Sequence, residues 1–183
     1  MSDGITTIAG ISVPSTDPLF LSIVGLHIPF GLLAVTAGAI AMLSPKRAGR
    51  HPMAGTLYFW SVTGIFITAT ALSVARWTDD YHLFVLGALS WLAARLGRTA
   101  RRRRVRWWAR VHMSAMGSSY VLLLTAFYVD NGRQLPLWRD LPVWTYWALP
   151  GIVGTPIILW ALLRHPLAKD SGKPSSADVR DSV

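Results

Sequence analysis

Cysteine is absent from the chain, and so is glutamate. The first absence removes disulfides, thiolate metal sites, iron–sulfur ligation and covalent c-type haem attachment. The second leaves nine aspartates as the only side-chain acids, so carboxylate-rich dimetal centres and paired-glutamate hydrolysis have little to draw on. Charge as a whole is scarce. Of 183 residues, 15% are charged against 52% hydrophobic, too few to cover a soluble domain of this size. No nucleophile elbow, triad pattern, phosphate loop or dinucleotide fingerprint occurs, and no internal repeat is visible.

What the chain has instead is long apolar blocks. A bilayer core about 30 Å thick is crossed by roughly 20 apolar helical residues, and five blocks approach that length. The first runs from Pro18 to Leu43, opened by an Asp17 cap with proline at the first helical position and stopped by Ser44-Pro45. The second runs from Pro52 to Trp77. The third is short by apolarity, Tyr81 to Leu96, with its ends extended towards Asp79 and Arg98. The fourth spans Val111 to Val129, ending in the turn residues Asp130-Asn131-Gly132. The fifth, Pro142 to Leu163, contains Pro150, Gly151, Gly154 and Pro156, which predict a kink or a broken helix. The expected fold class is therefore all-α, an integral membrane bundle of about five transmembrane helices over residues 17–165. Residues 1–16 lack any Lys or Arg and so lack the basic region of a signal peptide; they are expected to be an external arm. Residues 166–183, rich in Ser, Asp and Lys, are expected to be a disordered cytoplasmic tail.

The net charge of +9 suggests nucleic acid in a soluble protein, but here the cations sit in short loops between apolar blocks, which a membrane explains better. Fifteen of the Lys and Arg fall at 46–50, 95–110 and 164–180, and three (Arg76, Arg133, Arg139) fall on the opposite side. That asymmetry predicts the first side as cytoplasmic, the N-terminus outside and the C-terminus inside a bacterial plasma membrane. Most of the nine tryptophans lie near span ends, as an aromatic belt does. Arg101, Arg102, Arg103, Arg104, Arg106 and Arg110 form a basic cluster whose plain partner is anionic lipid head groups; a socket for haem propionates or for a partner subunit is the sharper alternative.

Of the five histidines, His165 falls after the last span and reads as a solvated interfacial residue. The other four fall one to each of the first four spans, and an intramembrane histidine is by default a functional candidate. The expected topology divides them into an outer pair, His27 and His82, and an inner pair, His51 and His112. At about 1.5 Å per residue, His27 and His82 lie about 6 and 8 Å from the midplane, whereas His112 and His51 lie about 12 and 21 Å from it. The outer pair matches in depth and the inner pair does not. Two neutral imidazoles on facing helices suit the two axial positions of a b-type haem. His27 shares a face with Gly31, Ala34 and Gly38, leaving a groove for a flat ring; His51 shares one with Gly55 and Tyr58, and His112 with Met116 and Ser119. The plainer readings are close helix packing for the small residues, a local hydrogen bond for each histidine, and a helix-cap role for His51 before Pro52. Tyr58, Tyr120 and Thr125 are polar groups inside spans, suited to a quinone pocket or to helix–helix hydrogen bonds.

Two stretches carry a resemblance. His51-Pro52-Met53-Ala54-Gly55-Thr56-Leu57-Tyr58, and Arg110-Val111-His112-Met113-Ser114-Ala115-Met116-Gly117-Ser118-Ser119-Tyr120 with Thr125-Ala126-Phe127 and Asn131, resemble segments of a bacterial family of predicted multi-helix membrane proteins of unknown function. His27 with Gly31 and Gly38 fits its first helix. The likeness covers about residues 20–160 and implies a fold without a reaction. The two histidine pairs in a four-helix arrangement also resemble, in architecture, the transmembrane dihaem b-type cytochromes. That likeness implies haem b ligated by His27 with His82 and by His51 with His112, and electron transfer across the membrane; the shallow His51 is the departure from it. The function expected is thus a membrane cytochrome or electron-transfer subunit. The alternatives are a non-catalytic subunit that packs against a membrane protein partner and a small proton-coupled transporter using the histidines and a broken fifth helix.

Overall fold

The computed structural model describes residues 4, 6–8, 11–13 and 15–164. His165 and the expected tail from 166 lie outside the described residues. Within them the chain is an all-α bundle of five long helices: α1 Pro18–Leu43, α2 Arg50–Ala75, α3 Trp77–Arg103, α4 Trp108–Asn131 and α5 Val143–Arg164. The N-terminal arm, read from sequence without secondary structure, carries a short antiparallel ribbon in which β1 (Thr6–Ile8) pairs with β2 (Ile11–Val13).

The helix ends follow local chemistry. Asp17 accepts from the backbone N–H of Leu19 at 2.7 Å, so the proline at the next position loses no bond it would otherwise make. At the other end of α1, the Lys46 ammonium donates to the carbonyls of Ala41 and Met42 at 2.9 and 2.7 Å, satisfying acceptors that a helix terminus leaves open. A single residue, Arg76, separates α2 from α3, and it pairs with Asp79 and Asp80 in the first turn of α3 at 3.3 and 3.8 Å. Acids at this N-terminus and Arg101 to Arg103 in the last turn both suit the helix dipole, which is why α3 outruns its apolar stretch. The α3–α4 link is tight enough to force two non-glycine residues, Arg104 (φ 49°) and Trp107 (φ 62°), into the left-handed region. Of the kink or break expected in the fifth span, the break does not occur: α5 is one continuous helix through Pro150 and Pro156. Each proline removes one backbone donor, a loss membrane helices tolerate when neighbours re-satisfy the freed carbonyl.

Helices adjacent in sequence pack side by side, and α1 also meets α4. The centre is built from small residues and hydroxyls. Ala34, Ala37, Tyr58, Val62, Ile65, Ala94 and Leu123 form the buried cluster. The Tyr58 hydroxyl meets the Ser119 hydroxyl at 2.7 Å, and the Ser90 hydroxyl donates to the Ser119 carbonyl at 2.9 Å. One hydroxyl knot therefore ties α2, α3 and α4, while Tyr120 donates to the Val35 carbonyl at 3.0 Å and ties α4 to α1. Outwards the bundle is apolar: Leu19, Leu32, Leu43, Trp60, Ile67, Ile152 and Trp160 are all exposed. Three helices, α1, α2 and α5, are long and apolar enough to cross a membrane. At about 1.5 Å per residue, each exceeds the hydrocarbon thickness. α3 carries acids and arginines at its ends and α4 a run of hydroxyls, which lowers their hydropathy although both lie in the same bundle.

Gly38 marks the closest approach in the core. A Cβ there would stand 2.5 Å from the Tyr120 ring and 3.1 Å from that of Tyr58. The groove expected along His27, Gly31, Ala34 and Gly38 is thus filled at its Gly38 end by tyrosine rings. Gly38→Val is expected to cost about 1–3 kcal/mol by overpacking, read as a lower melting temperature in detergent. Gly25→Val, where a Cβ would meet nothing within 4 Å, is expected to melt like the parent.

Candidate functional site

The structure brings one pair of histidines together. The rings of His51, in the first turn of α2, and His112, in the second turn of α4, have centroids 6.2 Å apart and planes at 83°. Each ring is held from a neighbouring helix. His51 Nδ1 lies 2.8 Å from the Ala41 carbonyl of α1, and His112 Nδ1 lies 2.9 Å from the Gly97 carbonyl of α3. A carbonyl only accepts, so both Nδ1 atoms carry the proton and donate. In the neutral rings the lone pair then resides on Nε2, the arrangement that suits a metal-ligating imidazole whose other nitrogen is held by a carbonyl.

The outer pair is arranged differently. His27 Nδ1 lies 2.8 Å from the Thr68 hydroxyl of α2. That hydroxyl donates to the Gly64 carbonyl at 2.9 Å, so it receives the His27 Nδ1 proton. His82 meets the rings of Tyr81 and Trp147 at 5.7 and 5.8 Å. His27 turns to α2 and His82 turns to α5: the two have different neighbours. Depth along the sequence favoured this pair because it placed Cα atoms; an imidazole reaches several Å from its own helix, and the anchoring carbonyls decide where the ring goes.

His51 and His112 line a cavity of about 870 Å³ at the basic end of the bundle. Its walls include Gly38, Gly55, Met116, Gly117, Tyr120 and Ile158, and its rim carries Lys46, Arg98, Arg101, Arg102, Arg104 and Arg164, with no acidic residue among the described residues that line it. Gly55, one turn beyond His51, has open space where a Cβ would stand. Of the arginine cluster singled out from sequence, Arg101, Arg102 and Arg104 line this cavity while Arg103, Arg106 and Arg110 do not. Arg106 and Arg110 lie over the Trp107 ring at 5.7 and 4.5 Å, as interfacial side chains do. Lys46, Arg98 and Arg164 were not among the site residues proposed from sequence. Arg98 was legible as the first of Arg98, Arg101 and Arg102, which share a helix face at i, i+3 and i+4; Lys46 and Arg164 come from the α1–α2 link and the end of α5, which only the fold brings together. Burial holds the Lys46 ammonium below the ordinary lysine pKa.

The residues present suit a haem: the rings of His51 and His112 stand 6.2 Å apart between centroids, and each would offer its Nε2 lone pair to the iron. A porphyrin supplies four ligands itself, so two side chains suffice; among the described residues no group of three or more His or Asp gathers to hold a bare metal ion. The cavity lies within the usual range for ligand sites of about 300–1,000 Å³, and its cations suit carboxylates. Set against protein-family models, curated proteins and solved structures, the chain finds no match.

The carbonyl anchors predict the tautomer. In side-chain ¹⁵N spectra of the purified protein without cofactor at pH 8, His51 and His112 are expected in the Nδ1–H form. A dominant Nε2–H form at either ring would contradict the anchors.

Proposed function

We propose that the chain is a multi-pass membrane b-type cytochrome, or a cytochrome-like electron-transfer subunit, with haem b held between His51 and His112. The supporting observation is the meeting of these two carbonyl-anchored imidazoles at the head of an apolar cavity with a cationic rim. When bound, haem supplies one-electron redox chemistry at its iron, and the protein tunes the potential through ligands and surroundings.

The chain's own residues would do the rest. Ala41 and Gly97 fix the ring orientations and raise the basicity of the Nε2 lone pairs. Gly55 leaves open space beside His51, while Gly38 and Gly117 let the Tyr120 ring and Ile158 pack close, and Met116, Tyr120 and Ile158 give the cavity apolar walls. The surplus of positive charge around His112 from Lys46 and Arg101 favours the less positive, reduced state of a bound iron. On this reading five helices cross a bacterial plasma membrane with the basic end in the cytoplasm, as the positive-inside asymmetry suggests. One cofactor then sits near the inner face, and His27 and His82, with their separate partners, are not assigned to a second.

The protein purified in detergent from cells supplied with haem is expected to show a Soret band that shifts with dithionite. His51→Ala and His112→Ala should each abolish the low-spin spectrum, whereas His27→Ala and His82→Ala should retain it. Gly55→Phe should lower cofactor content several-fold with an unchanged melting temperature of the unloaded protein. A colourless wild-type protein that takes up no haem on titration would refute the proposal in favour of a subunit or transporter role.

A further inference from the structure

We infer that the rim of this cavity is a two-carboxylate socket, centred on Arg101 and Arg102, that selects a flat apolar macrocycle with two acidic arms; the inference rests on the haem reading and specifies what part of the ligand that rim holds. Six cations line the cavity, with no aspartate among its lining residues and no glutamate in the chain. Four of the six are engaged. Lys46 bonds the Ala41 and Met42 carbonyls, Arg98 lies 4.6 Å over Phe59, Arg104 lies 4.9 Å over Trp108, and Arg164 lies 5.9 Å over Trp160. Arg101 and Arg102 have no hydrogen-bond, ion-pair or ring partner among the described residues.

These two follow Arg98 at i+3 and i+4, so three guanidinium groups crowd one face of the last turns of α3. Arg98 and Arg102 repel one another, and Arg101 acts electrostatically on His112. Like charges held together, with no acid paired to them among the described residues, are relieved by an anion. An arginine fork matches a carboxylate with two parallel hydrogen bonds. A lipid phosphate offers the same chemistry at the rim and its acyl chains suit the apolar walls, but a lipid leaves the imidazole pair without a ligand. A dicarboxylate macrocycle occupies all three.

The test uses the full-length protein in neutral detergent and metal-free protoporphyrin IX, whose binding requires no iron–imidazole bond, compared with its uncharged dimethyl ester. Porphyrin fluorescence reads the binding. The diacid should bind at least about tenfold tighter than the diester. The double variant R101Q/R102Q should bring the two affinities within about twofold while the melting temperature of the unloaded protein stays unchanged. Equal affinities for diacid and diester, or a preference that survives in R101Q/R102Q, would overturn the socket and leave the haem proposal standing if the Soret band is present. Displacement of the diacid but not the diester by phosphatidylglycerol micelles would assign these arginines to lipid and likewise overturn it. Failure of both porphyrins to bind, together with a colourless protein, would remove the haem proposal as well.

Discussion

Two backbone carbonyls, those of Ala41 and Gly97, fix the basic end of the bundle. Helix C-terminal carbonyls lack partners within the helix, and in an apolar surround each unpaired one costs free energy. The Ala41 carbonyl sits in the last turn of α1 and receives both Lys46 Nζ and His51 Nδ1. The Gly97 carbonyl, on α3, receives His112 Nδ1. The histidines are thus drawn to opposite walls by backbone groups of α1 and α3, and their rings meet in the space between. The open Ala41 carbonyl at the end of α1 and the second lone pair of the Gly97 carbonyl inside α3 together orient the two imidazoles.

The centre of the bundle shows the same economy with polar groups. Tyr58, Ser90 and Ser119 saturate one another, Tyr120 takes a carbonyl of α1, and Trp91 donates to the Thr63 hydroxyl at 3.2 Å. No buried side-chain nitrogen or oxygen among the described residues lacks a partner. Such bonds between membrane helices are worth only about 0.6 kcal/mol each, so their chief consequence is register. The tyrosines on α2 and α4 stand at fixed heights against Gly38, and the cavity begins where they end.

How much of this was legible follows from the kind of signal each feature leaves. The caps and breakers at Asp17-Pro18 and Ser44-Pro45 marked α1 to the residue and Asp130-Asn131-Gly132 the end of α4 to within two, because they act locally, whereas α3 (Trp77–Arg103) ran well beyond the Tyr81–Leu96 stretch that apolarity marked. The unbroken α5 was not legible, since Pro150 and Pro156 signal a lost donor but not whether neighbours compensate. The four intramembrane histidines were legible as candidates because imidazole is costly in lipid. Their pairing was not, because it depends on partners far away in sequence: Thr68 for His27, Trp147 for His82, Gly97 for His112. Depth counted along each helix favours the outer pair, and tertiary hydrogen bonding instead brings together the inner one. Gly38 likewise read as part of a groove, whereas it is the seat of a tyrosine ring.

The charge distribution links these levels. A chain with nine aspartates and no glutamate places Asp79 and Asp80 at the start of α3, where they meet Arg76, and among the described residues no acid lines the cavity rim at the end of α3. Had the rim served only to hold the protein in register with lipid, interfacial arginines stacked on tryptophan would suffice, as Arg106 and Arg110 on Trp107 illustrate. Arg101 and Arg102 differ from those: among the described residues they have no ring partner, and they line the same cavity as the two oriented imidazoles. Helix periodicity ties them to Arg98 on one side of α3, and the Gly97 anchor of His112 lies one residue before that arginine. A single stretch of α3, residues 97–102, therefore positions one imidazole through its backbone and the rim cations through its side chains. On the reading proposed above, a ligand that contacts both would have to match their separation, and that coupling would set an amphipathic dicarboxylate ring apart from a head group that touches the rim alone.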